Sequence, residues 1–169
     1  MANPFADVTT GPAAEGVSTL PPTLRLGAVH MAVTDLDRSV AWYQAALGLH
    51  VHRQDADAGV AALGAGEEDV LALHEDAAAT PPPRRGSGLY HYALLFPMRE
   101  ELARAALRLA ATRTPIQGAS DHGTHEAIYL PDPDGNGIEL AADRPREQWP
   151  TPEEEFSRGG PMPLDFDAL

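Results

Sequence analysis

Gly27-Ala-Val-His30-Met-Ala-Val33 and Gly88-Leu-Tyr-His91-Tyr-Ala-Leu94 are two copies of one pattern. Each is a short apolar run with a histidine at its fourth residue, and each precedes an amphipathic helical stretch. In the first copy Val29, Met31 and Val33 alternate with Ala28, His30 and Ala32, the period of a strand with two unlike faces.

Working outward, a strand is expected over 26–33, with Thr34 and Asp35 capping the next helix and Asp37 suiting its first turn. Leu36, Val40, Tyr43 and Leu47 recur at three- and four-residue spacing, an apolar stripe that Gly48 ends. Strands near 49–54, 58–64 and 69–74 follow across Asp- and Gly-rich turns. The run Thr80-Pro-Pro-Pro-Arg-Arg-Gly-Ser-Gly88 links the halves. The second half repeats the order: a strand over 88–96, a helix over 98–112, then strands near 115–119, 124–131 and 137–142. Pro133-Asp-Gly135 and Asn136-Gly137 make the turn between the last two.

This organisation divides the chain into a disordered leader over 1–23, one domain over 24–145 and a C-terminal tail over 146–169. Module one covers 24–79 and module two 86–145. Neither sheet buries its faces alone. The expected fold class is therefore α+β: two paired βαβββ modules forming a curved mixed sheet around a cup, with helices outside.

The chain's 169 residues suffice for one domain with a hydrophobic core. Its net charge of −13 argues against nucleic acid as a partner. The absence of cysteine excludes disulfides and thiolate metal sites, leaving imidazole and carboxylate as metal ligands. No basic, hydrophobic start and no run long enough to span a bilayer is found, so no membrane partner and a cytoplasmic location are expected.

Strand alternation places the polar groups. His30 shares a face with Ala28 and Ala32, His91 with Leu89 and Ala93, and Glu139 with Gly137 and Ala141. His74 lies with Ala72, and Tyr129 with Ala127 and His125, while Tyr90, Tyr92 and Leu94 fall on the helix-facing side. Two histidines and one glutamate from three strands of a duplicated unit form the donor set of a 2-His-1-carboxylate metal site. A buried glutamate is costly without a partner, which favours a cation beside Glu139. His50, His52 and His125 are read as solvent-facing or rim residues.

With Asp35-Leu-Asp-Arg-Ser-Val-Ala-Trp-Tyr43 and Leu47-Gly-Leu49 after the first histidine, the duplicated module resembles the vicinal oxygen chelate superfamily of glyoxalases, bleomycin-resistance proteins and extradiol dioxygenases. Gly88-Leu-Tyr-His91, Gly118-Ala-Ser-Asp-His122, Glu126 through Glu139, and Asp143-Arg-Pro145 with Trp149 look like bacterial catechol 2,3-dioxygenase-type proteins. The resemblance implies that His30, His91 and Glu139 match the iron ligands, with Fe(II) or possible Mn(II) as the ion. It implies that Tyr129 bonds the substrate, that His74 stands near the oxygen side, and that His122 is close to a second active-site histidine. The implied substrates are a small aromatic diol and O2.

Classical extradiol enzymes of this kind carry four modules where this chain has two, and His125 stands where a serine is common before the Glu-Ala pair. Two other readings stay open: a glyoxalase-type metal-dependent isomerase or transferase, and a metal-free small-molecule binding or resistance protein. Isomerases draw a fourth ligand from the end of the first module, where Ala72 is expected here. Edge strands and an open sheet face point to a homodimer.

Overall fold

The computed structural model describes residue 21, residues 23–80 and residues 88–169. The leader expected over 1–23, apart from residues 21 and 23, lies outside the described residues, as does the linker at 81–87.

The first module runs β1 (Val29–Val33), α1 (Leu36–Trp42), β2 (His50–Asp55), β3 (Val60–Gly64) and β4 (Asp69–Glu75). Asp35 caps α1 by accepting from the Arg38 amide at 2.9 Å. A π-helical turn, Tyr43–Leu47, extends the helix, and Gly48 closes it in the left-handed region at φ 73°. The second module runs β5 (Tyr92–Phe96), α2 (Arg99–Ala111), β6 (Gly118–Asp121), β7 (His125–Pro131) and β8 (Gly137–Asp143). This is the α+β, twice-repeated βαβββ plan expected from the two histidine-bearing runs.

The sheets are mixed: β1-β4-β3-β2 in the first module, and β5-β8-β7-β6 in the second, extended by β9 (Met162–Pro163). β1 pairs parallel with β4 and β5 with β8, the remaining pairs being antiparallel. Among the described residues the two sheets stay separate, so β1 and β5 each stand at the edge of their sheet.

The modules meet on their helix-bearing sides, so among the described residues the two sheets do not pair into the single curved sheet around a cup, with helices outside, that the sequence suggested. Met31, Val33, Leu71 and Leu73 from the first sheet share one core with Tyr92, Ile128, Ile138 and Leu140 from the second. The buried Tyr43 hydroxyl donates to Asp132 at 2.9 Å and accepts from Tyr92 at 3.3 Å, so a polar staple crosses this core. Asp132, in the tight turn before β8, also accepts from the Asp134 and Asn136 amides. Asp134 takes the Thr34 hydroxyl at 2.6 Å and the Arg38 guanidinium at 2.6 Å, tying that turn to the start of α1.

The tail joins the second module. α3 (Pro152–Arg158) starts with a capping box between Thr151 and Glu154. β9 then pairs with β6, and Leu164 is buried behind it. The buried Glu126 carboxylate lies between Arg99 and Arg144, and Arg99 also reaches the Ala168 carbonyl. Among the described residues no helix is long and apolar enough to cross a membrane.

Candidate metal and substrate site

Burial sorts the strand faces as alternation does. Met31, Val33, Leu71 and Leu73 are buried toward the helices, whereas His30 and His74 are exposed on the opposite face. Cross-strand partners share a face, so the pairs Gly118–Tyr129, Tyr129–Glu139 and Ala93–Glu139 put these side chains on the open face of the second sheet. Ala127 and Ala141, opposite one another, keep that face low around them.

Glu139 is the centre of the second module's cluster. It is 8% exposed, and its partners are imidazoles and a phenol. His91 Nε2 lies 2.9 Å from Oε2, His125 Nε2 lies 3.5 Å from Oε1, and the Tyr129 hydroxyl donates to Oε1 at 2.8 Å. A phenol has one proton, so Tyr129 must accept from His122 Nε2 at 2.9 Å while it donates to Glu139. The His122 and His125 rings stack at 4.4 Å. Burial, and then the bond to Glu139, raises the Tyr129 pKa, so it stays a phenol at neutral pH. Burial, and then the neighbouring His125, lowers the pKa of His122.

His91 owes its place to a glycine. A Cβ on Gly137 would lie 2.3 Å from the Tyr90 carbonyl oxygen and 3.0 Å from the His91 Cβ. The absent side chain lets residues 90–91 lie directly against β8, beside Glu139.

The donor chemistry fits a divalent ion. Ligand atoms of His122, His125 and Glu139 lie within 4.8 Å of one another, and His91 adds a third imidazole against the same carboxylate. Nitrogen and oxygen donors without thiolate suit iron, manganese or zinc. The expected trio is divided within one chain: His91 and Glu139 are together, whereas His30 stands on the first sheet. There His30 Nδ1 bonds His74 Nε2 at 2.9 Å, with the rings stacked at 5.1 Å.

The pairing of His30 with His74 revises the expectation about Ala72. His74 lies opposite Ala32 in the first module, as Glu139 lies opposite Ala93 in the second. Because Ala32 and Ala93 hold the same place in the repeat, His74 is the counterpart of Glu139, and Ala72 is not. Each module thus joins the histidine of its leading run to the side chain two places along its last strand, both at 2.9 Å.

Three other readings change. His125, read as a rim residue, belongs to the Glu139 cluster; the alternation that puts it on one face with Ala127 and Tyr129 is the sequence signal that marks it. His52 is half-buried and holds Asp69 through Nδ1 at 2.8 Å, because a bulge between Val51 and Arg53 breaks the face it would share with exposed His50. Tyr90 is 88% exposed and lines a cavity beside His91, since β5 begins only at Tyr92 and alternation does not reach back to it.

The profile of the Glyoxalase/Bleomycin resistance protein/Dioxygenase superfamily matches residues 25–140. The chain belongs to this superfamily. It is 40% identical over 125 residues to a catechol-2,3-dioxygenase of Bacillus subtilis (strain 168), covering 73% of this chain and 43% of that protein. The chain therefore spans less than half the length of that relative. A glyoxalase/dioxygenase from Nostoc punctiforme superposes with a TM-score of 0.60 at 24% identity, over 76% of this chain and 99% of the other. A lactoylglutathione lyase from Agrobacterium tumefaciens does so with 0.58 at 18%, over 72% and 96%. These two likenesses establish the fold alone.

Proposed function

We propose that this chain is a non-haem Fe(II)-dependent extradiol-type dioxygenase that opens a catechol-like vicinal diol with O2. It works as a homodimer in which His91 and Glu139 of one copy and His30 of a second copy hold the ion. The observation that carries the reading is the buried Glu139 carboxylate, surrounded by the imidazoles and phenol that such a site requires. The likeness to a catechol-2,3-dioxygenase supports the choice of reaction.

Two features support a second copy as the source of His30. The helix-side core leaves the two polar faces on separate sheets, and both β1 and β5 stand at sheet edges. Leu24 and Leu26 before β1, and Leu89 and Leu95 around β5, are exposed. Edge strands flanked by apolar residues are the surfaces a second copy would cover.

When bound, the ion supplies Lewis acidity to the diol and a redox partner for dioxygen. The chain's own groups do the rest. Tyr129, kept protonated and directed at Glu139, orients a substrate oxygen. His122 fixes the rotation of that phenol through its Nε2 proton. His74, paired with His30, would accept the proton given up by a diol hydroxyl and return it to the ring-opened product.

A metal-dependent isomerase is the second reading, favoured by the His74 register: the first module offers two nitrogen donors where a four-ligand site needs them. The deciding experiment supplies catechols to Fe(II)-loaded protein with and without O2, following oxygen uptake and a yellow ring-opened product. Oxygen-dependent ring opening is expected. Turnover of a dicarbonyl–thiol adduct under argon without any catechol reaction would replace the dioxygenase by the isomerase. Failure to take up a stoichiometric metal ion would leave a metal-free binding protein.

A further inference from the structure

Beside the Glu139 cluster lies a cavity of about 250 Å³, bounded by Tyr90, His91, Gln117, Gly118 and Tyr129 and floored near Gly137. An apolar cavity of about 150 Å³ is enough for a benzene molecule. This one has room for a single aromatic ring and one small substituent.

Its walls have distinct chemistry. The Tyr90 ring tilts 50° from the His91 imidazole at 4.9 Å, an aromatic surface at the entrance. Gln117, the exposed residue just before β6, donates its backbone N–H to the Tyr129 carbonyl at 2.7 Å, which fixes its backbone next to that tyrosine without engaging its side chain. Gly118 stands directly opposite Tyr129 in the β6–β7 pairing. A Cβ built on Gly118 meets nothing within 4 Å, so a side chain at this position would extend into the open space of the cavity it lines. Nothing in the fold forbids a larger residue at that point.

We propose that Tyr90, Gln117 and Gly118 form the specificity subsite for the ring substituent of the diol. Gly118 sets the size admitted, and Tyr90 and Gln117 select an uncharged group over a carboxylate. This rests on the dioxygenase reading, with the diol held at Glu139 and Tyr129. An aromatic face and a neutral amide complement alkyl or neutral polar substituents and offer no cation to pair with a carboxylate. Arg53 lies on the open face of the first sheet, in the row of His30, Ala72 and Ala62, and is ion-paired to Asp69. A second copy covering the cavity therefore brings no unpaired guanidinium from that row. The net charge of −13 acts in the same direction on an approaching anion.

The test compares catechol, 4-methylcatechol and a 4-carboxylated catechol on Fe(II)-loaded protein, wild type, Gly118→Val and Gln117→Arg, with melting curves to confirm folding. Wild type should prefer the two neutral compounds. Gly118→Val should lose about tenfold or more in kcat/KM on 4-methylcatechol while catechol itself changes little, the scale of methyl-group discrimination in a pocket. Gln117→Arg should raise kcat/KM on the carboxylated compound about tenfold through a charge-assisted bond. A wild-type preference for the carboxylated catechol, or equal effects of Gly118→Val on both neutral compounds, overturns the subsite while leaving ring cleavage intact. Should wild type cleave none of the three, calorimetric titration of the same variants decides separately. Binding of 4-methylcatechol that Gly118→Val weakens keeps the subsite and discards the reaction, and no binding discards both.

Discussion

The two modules hold the same pair of positions at the same separation and fill them differently. In the first, His30 meets His74; in the second, His91 meets Glu139, each pair at 2.9 Å. The strand next door differs as well: Val60 lies opposite His74, where Tyr129 lies opposite Glu139. The first pair is exposed and has no phenol to bond. The second joins a half-buried imidazole to a buried carboxylate, and Tyr129, His122 and His125 extend it. Duplication therefore supplies the geometry twice, and substitution at two positions per module makes one half a charged site and the other a face of neutral donors.

The difference can be broken from either side. His74→Ala should leave metal content unchanged and slow ring cleavage about 10²–10⁴-fold, as loss of a proton-transfer group does; metal analysis beside oxygen uptake reads both. A fall in metal content would move His74 onto the ion and strengthen the isomerase reading. Gly137→Ala should force residues 90–91 off β8 and weaken metal binding about 10–100-fold, the scale of disturbed ligand support. A competition titration with a metal-chelating dye measures it.

Tyr129→Phe removes one bond to Glu139 and the acceptor of His122, and should raise KM for the diol about tenfold, since a hydrogen bond is worth about 1–1.5 kcal/mol. The smallest effect concerns the contact holding the modules together. Burial alone would raise the Asp134 pKa, but bonds from Thr34 and Arg38 outweigh it, and the net shift is below the ordinary 3.8. A carboxyl whose folded pKa is depressed contributes stability above its unfolded pKa and loses it as pH falls through the folded value. Asp134→Asn should therefore cost about 0.5–1 kcal/mol at pH 7 and nothing well below the folded pKa, in denaturant melts across that range.

Much of this architecture is legible in the chain because it is written locally. The stripe Leu36–Val40–Tyr43–Leu47 and the Gly48 stop each depend on neighbours within a few residues and form as read, whereas of the repeated histidine run only the first copy puts its histidine in a strand, β5 starting at Tyr92. Register does not. That His74, and not Ala72, is the counterpart of Glu139 depends on strand partners more than forty residues away, which nothing within β4 itself encodes. Tyr90 escapes alternation because the strand has not yet begun, and His52 because a bulge resets its face. The separation of His30 from Glu139 reflects how the modules pack. Tyr43, Tyr92 and Asp132 join them through their helix sides, and no strand pattern carries that information.

The central claim is that the first-module face of one copy completes the second-module site of another. Co-expressing His30→Ala with Glu139→Ala tests it most directly. Each variant alone should be inactive, and the mixed dimer should regain one intact site, giving about a quarter of wild-type oxygen uptake and iron content from random pairing. A mixture as inactive as either parent, with mixed dimers demonstrated by differential tags, would contradict the shared site.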